Sequence, residues 1–225
     1  MLNRQELVDN VLRGLGEPGN DIAGPSRCDA APYAATDLEP VYEPEKAQSL
    51  LKAAGRDGMT AVLEASPLSE VYVSSATLIA QQAKKVGMNL QTKVIPPSTY
   101  YTEAGGYPNR MLGQNSMGAT PTLTVEYLLC VWGGAVYNLT HWGAGFHKGG
   151  EAADKLLFEA IGTTDQAKAK ELWHEVQTLP RDEGGFVNWG FGDALDAVAK
   201  NVKGIQTSAV YSLNGYRLLD GWIDS

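Results

Sequence analysis

The chain has 225 residues, enough for one large domain or two small ones with a buried core. Its 18 basic and 26 acidic residues give a net charge of −8 without any Lys/Arg cluster, which argues against a nucleic-acid-binding protein and against binding to an anionic membrane surface. The longest apolar stretch, 128–137, is interrupted by glycines and is far shorter than the roughly 20 residues of a membrane span.

Two helices are predicted near the N-terminus. Apolar residues at helical spacing predict a helix over 4–15, with Asn3 placed to cap it. The stretch 16–41, rich in Gly, Pro, Ala and Asp, indicates a long loop. Pro44 then opens a second helix, which Gly55 ends.

A strand–helix–strand unit follows. Residues 59–65 and 89–95 have the alternation of strands, and 74–85 between them has the period of a helix. The spacing predicts a right-handed βαβ unit with a parallel strand pair.

The second half is predicted to be mainly helical until Gly184, after which short strands are expected. The predicted elements are a strand over 112–117, helices over 122–130, 151–161 and 164–179 with Pro180 closing the last, and strands over 186–189, 194–199 and 205–211.

An aromatic segment with Asn-Leu-Thr-His-Trp at 138–142 lies between the glycine-rich stretches 132–134 and 143–146. Aromatic side chains on an irregular backbone, with a few polar groups, are typical of the wall of a small-molecule pocket. The alternative is a loop whose tryptophans only fill the core, as Trp is often largely buried.

The cysteines, Cys28 and Cys130, match no metal or redox motif, and the sequence leaves open whether they form a disulfide or are simply buried. The first residues have no basic region followed by an apolar region, so they do not read as a signal peptide.

Several short motifs follow one another in an order that resembles a known family. They are RQELV at 4–8, GLGEPG at 14–19, YEPEKA at 42–47 with Leu50, Leu51, Ala54 and Gly55, QQAKKVGM at 81–88, Asn138 and Trp142, DKLL at 154–157, Leu172, Trp173 and Gln177, and VKG at 202–204. Together they resemble the C-terminal part of the family 5 extracellular solute-binding proteins, which serve ABC importers of the dipeptide/oligopeptide type.

This resemblance implies an α/β fold, the C-terminal lobe of a two-lobed periplasmic binding protein, with a mixed sheet flanked by helices. Residues 1–184 would form the ligand-binding lobe, and 185–225 would be a tail that crosses back to an N-terminal lobe that is absent here. We therefore expect a fragment of a longer, periplasmic protein, whose partners are a small peptide-like ligand, the importer permease subunits and the missing lobe. A self-contained domain with a shortened fold is the alternative.

The resemblance also implies where this lobe contacts its ligand, namely within 116–122 and 132–146. The candidate ligand-binding residues are Met117, Thr120, Trp132, Asn138, His141, Trp142 and Phe146. Peptide-binding members carry Trp-x-x-Asp in the first stretch, and its carboxylate holds the peptide ammonium group. This chain has Ser116-Met117-Gly118-Ala119 there. Because a buried ammonium without a carboxylate is costly, an opine, a sugar, a chelate, a capped peptide or a degraded site are alternatives to a free peptide.

No motif indicates catalysis, a cofactor or a bound metal ion. There is no Gly-x-Ser-x-Gly and no His-Glu-x-x-His, and the spacing of His141 and His147 is not a known ligand pattern. We expect solute capture by lobe closure, without enzymatic activity. The alternatives are a binding protein for a metal chelate that uses His141 and a hydrolase that relies on His141 and Asp154.

Overall fold

The fold was analysed in a computed structural model of the chain. It describes residues 1–21, 38, 40–102, 104, 106–107, 109–118, 122–135, 138, 143–145, 149–183, 185–206 and 215–224.

Helices and short strands alternate up to β3, after which three helices and then short strands follow. In order they are α1 (Arg4–Val11), β1 (Gly16–Pro18), α2 (Pro44–Ala53), β2 (Thr60–Ala65), α3 (Glu70–Lys85), β3 (Asn89–Val94), α4 (Leu123–Cys130), α5 (Gly150–Gly162), α6 (Gln166–Glu183), β4 (Gly190–Gly192), β5 (Val202–Lys203), a 3-10 helix (Leu218–Asp220) and β6 (Trp222–Ile223).

The chain divides into two compact units. Unit 1 comprises Met1–Asn20, Pro40–Met117 and Trp189–Gly192, and unit 2 comprises the remaining segments, Asp21–Glu39, Gly118–Asn188 and Asp193–Ser225. The predicted boundary between residues 184 and 185 remains a prediction about the longer protein.

The βαβ unit of unit 1 confirms the predicted parallel pair. Strands β2 and β3 pair in parallel, with Thr60 opposite Asn89 and Ala65 opposite Val94, and α3 connects them. Helix α3 begins at Glu70, four residues before the predicted start, and its buried face packs with β2 in one apolar core. The members of this core are Leu2, Leu7, Leu63, Ala65, Tyr72, Ala76, Ile79, Ile95 and Tyr100.

The predicted strand over 112–117 is wrong as a regular strand. Only an isolated parallel bridge joins Glu64 to Gly113, with backbone hydrogen bonds from Glu64 N to Leu112 O and from Gln114 N to Glu64 O. The segment therefore touches the edge of β2 at one point.

The first two helices differ from their predictions, α1 in its length and α2 in its burial. Helix α1 ends at Val11, because Arg13 and Gly14 have positive φ angles and turn the chain away, whereas the Asn3 cap is confirmed by its bond from Glu6 N. Helix α2 begins at Pro44 as predicted, but its apolar face is not buried, and Leu50 is 62% exposed.

Unit 2 is built on three helices. Helices α4, α5 and α6 bury one apolar core, which includes Leu123, Tyr127, Cys130, Val131, Leu157, Ala160, Ala169, Leu172, Trp173 and Val176. The prediction that Pro180 closes α6 is wrong, since the helix continues to Glu183 and the proline is buried within it.

The strands after Gly184 differ from their predicted positions. Residues 186–189 and 194–199 are not strands, and 207–211 lie outside the described residues. Instead, β4 pairs antiparallel with β1 inside unit 1, placing Gly16 opposite Gly192, and β5 pairs antiparallel with β6 in unit 2. Alternation over such short segments cannot distinguish a strand from a loop, because pairing depends on a distant partner.

Within the described residues, no helix combines the length and apolar character needed to cross a membrane.

Candidate functional site

The structure describes three of the predicted ligand-binding residues. Met117 is exposed and belongs to unit 1, whereas Trp132 and Asn138 belong to unit 2. The other four predicted residues, Thr120, His141, Trp142 and Phe146, lie outside the described residues.

In unit 2, one carboxylate binds the backbone at both ends of the aromatic segment. Asp154, on the second turn of α5, accepts hydrogen bonds from Gly133 N at 3.2 and 3.3 Å and from Ala144 N at 3.1 Å. Hydrogen bonds to a charged acceptor are stronger than those between neutral groups. We call this arrangement the Asp154 clamp; it brings residues 133 and 144 together and fixes both to α5.

The clamp depends on glycines where the backbones approach each other. A Cβ at Gly133 would lie 2.5 Å from Ala144 N, a Cβ at Gly143 would collide with Gly133, and a Cβ at Gly150 would collide with the Gly143 carbonyl. Gly143 also has a φ of 93°, in the region that favours glycine. The glycine-rich stretches on either side of the aromatic segment are therefore required for packing.

Asn138 is bound to the backbone of its own loop. Its Nδ2 donates to Trp132 O at 3.1 Å and to Val131 O at 3.4 Å, and the residue is 7% exposed. These bonds hold the carbonyls of the two residues that follow α4, and Trp132 O also accepts from Ala135 N. Asn138 therefore stabilises this loop, whether or not it also contacts a ligand.

Trp132 packs partly on the helical core of unit 2. Its ring meets Phe158 edge-to-face, with 5.5 Å between the ring centroids. A cavity of about 10 Å³ lies beside it, lined by Tyr127, Val131, Trp132, Ala153, Asp154, Leu157, Val176, Leu179 and Pro180. This cavity has room for about one water molecule, so it is not the binding site of a peptide-sized solute.

In unit 1, polar side chains gather beside the predicted stretch that begins at Ser116. Tyr72 Oη lies 3.1 Å from Tyr101 Oη and 2.7 Å from Ser116 Oγ, and Tyr101 Oη donates to Asn115 Oδ1 at 2.9 Å. We call Tyr72, Tyr101, Asn115 and Ser116 the hydroxyl cluster. Sequence analysis missed it because its members are separated by up to 44 positions, although the pair Tyr100-Tyr101 was a visible signal.

The ring of Tyr101 is held by its aromatic neighbours. It meets Tyr100 at 5.0 Å and Tyr107 at 5.7 Å between centroids, both edge-to-face. Burial raises the pKa of Tyr101 above its usual value, so the hydroxyl keeps its proton at neutral pH.

An ion-pair network holds the loop that carries these tyrosines. Glu64 on β2 binds Arg110 Nε at 2.9 Å and Lys93 Nζ at 2.8 Å, and the Arg110 guanidinium lies 3.9 Å from the centroid of the Tyr100 ring. Burial raises the pKa of Tyr100 to about 12 despite the opposing effect of Arg110. Because Glu64 already binds two cations, it is not available to a ligand ammonium group.

Cys130 is a free, buried thiol in helix α4, and Cys28 lies outside the described residues. Burial, reinforced by Glu126, raises the pKa of Cys130 to about 12. A protonated, buried thiol is a poor nucleophile and a poor metal ligand. Cys130 is therefore part of the core.

The described residues offer little to the alternatives that involve a metal or catalysis. They contain no group of three His, Cys, Asp or Glu side chains that could hold a metal ion. Asp154 accepts backbone N–H groups of the clamp, and His141, its proposed partner, lies outside the described residues.

Comparison with protein families gives a match over more than half of the chain. The family model described as "Bacterial extracellular solute-binding proteins, family 5 Middle" matches residues 1–130. The chain belongs to this family. The resemblance inferred from the motifs is thereby confirmed.

Curated relatives of this family 5 chain are binding proteins. The di/tripeptide-binding protein 1 of Pseudomonas aeruginosa strain UCBPP-PA14 is 29% identical over 96% of this chain and 40% of its own length. The dipeptide-binding protein of Escherichia coli K12 is 24% identical over 90% of this chain and 38% of its own length. The chain thus spans about 40% of the length of these relatives.

Solved structures confirm the predicted fold class. The Helicobacter pylori periplasmic binding protein DppA, in complex with the peptide STSA, superposes with a TM-score of 0.73 at 19% identity, over 100% of this chain and 42% of its own. The dipeptide-binding protein of Pseudoalteromonas sp. SM9913, in complex with Met-Leu, gives 0.70 at 18% identity, over 99% of this chain and 43% of its own. Agrobacterium AgaA with agropinic acid gives 0.70 at 16% identity, over 99% and 45%. The chain therefore has the α/β fold of part of a solute-binding protein.

Proposed function

We propose that the chain captures a small, peptide-like solute for an ABC importer, as the C-terminal lobe of a two-lobed binding protein. Residues 1–184 would form the ligand-binding lobe and 185–225 the tail that returns to the N-terminal lobe. Solute would be held by closure of the two lobes, and the closed form would deliver it to the permease. The protein would work outside the cytoplasmic membrane, in the periplasm, and would catalyse no reaction.

The observation that carries this proposal is the Asp154 clamp. A binding protein must hold its contact loop in one geometry before ligand arrives, because ordering a free loop would reduce affinity. One carboxylate joins both ends of the aromatic segment to α5, so the segment between them starts and ends at fixed points. The relatives described above are a di/tripeptide-binding and a dipeptide-binding protein, which supports a peptide-like solute.

Solute capture is tested by titration calorimetry. The chain is mixed with the part of the Pseudomonas aeruginosa di/tripeptide-binding protein 1 that it does not match, and dipeptides, tripeptides, capped dipeptides and opines are titrated. Heat of binding for at least one solute, absent when either part is titrated alone, is the expected result. No binding across the whole panel, with both parts folded by circular dichroism, would overturn the proposal.

A substitution of Trp142 tests whether the aromatic segment contacts the solute. If Trp142 forms a wall of the site, Trp142→Ala should weaken binding of the solute found by calorimetry by about 1–3 kcal/mol, the scale of a desolvated aromatic contact. Trp222→Ala, at an exposed tryptophan in β6, is the matched control and should leave affinity unchanged. A Trp142 variant with full affinity and a loss of about 3–5 kcal/mol in stability would show that Trp142 only fills the core.

A further inference from the structure

The direction of every hydrogen bond in the hydroxyl cluster follows from counting hydrogens. A tyrosine or serine hydroxyl has one hydrogen to donate. Tyr101 gives its hydrogen to Asn115 Oδ1, so at its contact with Tyr72 it can only accept. Tyr72 therefore donates to Tyr101, and the short contact at 2.7 Å requires Ser116 to donate to Tyr72.

This order leaves a defined pattern at the exposed edge of the cluster. Ser116 has used its hydrogen, so its exposed oxygen offers only lone pairs to a ligand. The neighbouring Asn115 is also exposed, and its Nδ2 has no acceptor within the described part of the chain. The edge thus presents one acceptor and one donor on adjacent residues, which suits the N–H and C=O of a single residue in an extended peptide, since these two groups point to the same side.

The cluster is also built to remain in place. Tyr72 is 4% exposed and belongs to the core of unit 1, and Tyr101 is held between two aromatic rings. The fixed hydroxyls of Tyr72 and Tyr101 therefore orient Asn115 and Ser116 before a ligand arrives. Preorganised polar groups of this kind determine ligand orientation and specificity.

The charges nearby do not suit a free ammonium group. The four side chains are uncharged polar groups, and the stretch 111–125 contains no acidic residue. Glu64 of the same unit already binds Arg110 and Lys93. Since lobe closure would bury the solute here, and an ammonium group loses several kcal/mol on burial without a carboxylate, this subsite would reject a free ammonium group.

We propose that Ser116 and Asn115 form a specificity subsite for an uncharged amide of the solute, such as an acylated peptide N-terminus, and that it rejects a free ammonium group. This rests on the proposed solute-binding function. Ser116 accepts the N–H of the acylated residue, Asn115 donates to the carbonyl of that same residue, and Tyr72 and Tyr101 position both.

Two probes that differ only in their ends test the subsite. N-acetyl-Ala-Ala amide and free Ala-Ala are titrated at pH 7 into the chain mixed with its complementary part, as above. The capped probe is expected to bind at least tenfold more tightly. Equal or tighter binding of free Ala-Ala, or no binding of the capped probe while another solute binds, overturns the subsite but leaves solute capture intact. No binding of any solute overturns both.

Variants of Ser116 assign the effect to the cluster. Ser116→Ala should lower the affinity for the capped probe about tenfold, as expected for one lost hydrogen bond. Ser116→Thr, which keeps the hydroxyl, should retain affinity within about threefold. Ser49→Ala, at an exposed serine of α2, is the control and should change nothing. Unchanged affinity in Ser116→Ala contradicts the subsite, provided that its melting temperature equals that of the unchanged chain.

A carboxylate introduced at the same place should reverse the preference. Ser116→Asp is expected to raise the affinity for free Ala-Ala at least tenfold, because the ammonium group then has an ionic partner, and to lower the affinity for the capped probe. The rival site for an ammonium is Glu103, which lies outside the described residues. If free Ala-Ala binds the unchanged chain and Glu103→Gln abolishes that binding, the subsite proposal is wrong.

Discussion

At the scale of single residues, the glycines and one aspartate define the aromatic segment. The sequence places Gly133 and Gly143 on either side of the aromatic segment. The reason for these glycines and for Gly150 is visible only in the fold, where added Cβ atoms would strike neighbouring backbone. The hydrolase alternative relies on Asp154, whereas its oxygens accept N–H groups that lie 21 and 10 positions away. A carboxylate whose partners are backbone atoms leaves no motif in a sequence, so this part of the site could not be predicted.

Asp154→Asn should destabilise unit 2 without removing any packing. An amide of the same shape keeps one acceptor, but its NH₂ group faces a backbone donor, so we expect the free energy of unfolding to fall by about 1–3 kcal/mol. Urea denaturation followed by tryptophan fluorescence measures the change. Glu151→Gln, at an exposed carboxylate in the first turn of α5, is the matched control. Equal effects in the two variants would contradict the clamp.

At the scale of elements, the long and strongly periodic segments were predictable and the short ones were not. The β2–α3–β3 unit follows from its alternation and helical period, and the structure shows the expected parallel pair. Helix α6 passes through Pro180, because a proline near the end of a helix removes one hydrogen bond that packing can offset. The predicted positions of the strands after residue 184 were wrong, because a strand of two or three residues forms only where a distant partner pairs with it. For β4 this partner is Gly16–Pro18.

A glutamine of the family motif at 81–88 joins two elements of unit 1. Gln82 on α3 is buried, accepts from Asn3 N at 2.9 Å, and donates to Asn3 O and to the Glu6 carboxylate at 3.2 and 2.8 Å. Gln82→Ala leaves these groups without their partner, so we expect a loss of about 2–3 kcal/mol in stability.

The adjacent Gln81 provides the matched control for this prediction, because it is exposed on the same helix. Gln81→Ala should change stability by less than about 0.5 kcal/mol, as is usual for a surface position. Chemical denaturation of both variants, monitored by circular dichroism, tests the difference. Similar midpoints for the two variants would show that Gln82 does not anchor α1.

At the scale of the whole molecule, apolar side chains that remain exposed near the C-terminus are expected to drive self-association. Leu219 is 100% exposed and Ile223 is 75% exposed, with Leu218 and Trp222 also exposed nearby. Exposed apolar patches of this kind are covered by another surface in stable proteins. We expect light scattering to show oligomers at concentrations in the range of tens of micromolar or above.

Replacing Leu219 and Ile223 together with Ser should shift the chain towards monomer. Replacing Leu50 and Val41, which are 62% and 73% exposed in unit 1, provides the comparison. A chain that is monodisperse and monomeric before any replacement would contradict the expectation. So would oligomers that dissociate only when Leu50 and Val41 are changed.

The Asp154 clamp has a practical consequence for engineering the family. Because residues 133 and 144 are bound to one carboxylate on α5, the chain between them begins and ends at the same place, whatever its length or sequence. Residues 134–142 can therefore be exchanged as a cassette, with segments from relatives transplanted between the two attachment points while the helical core is left unaltered. Libraries confined to this cassette would vary recognition independently of folding, provided that Asn138 is kept together with Gly133, Gly143, Gly150 and Asp154.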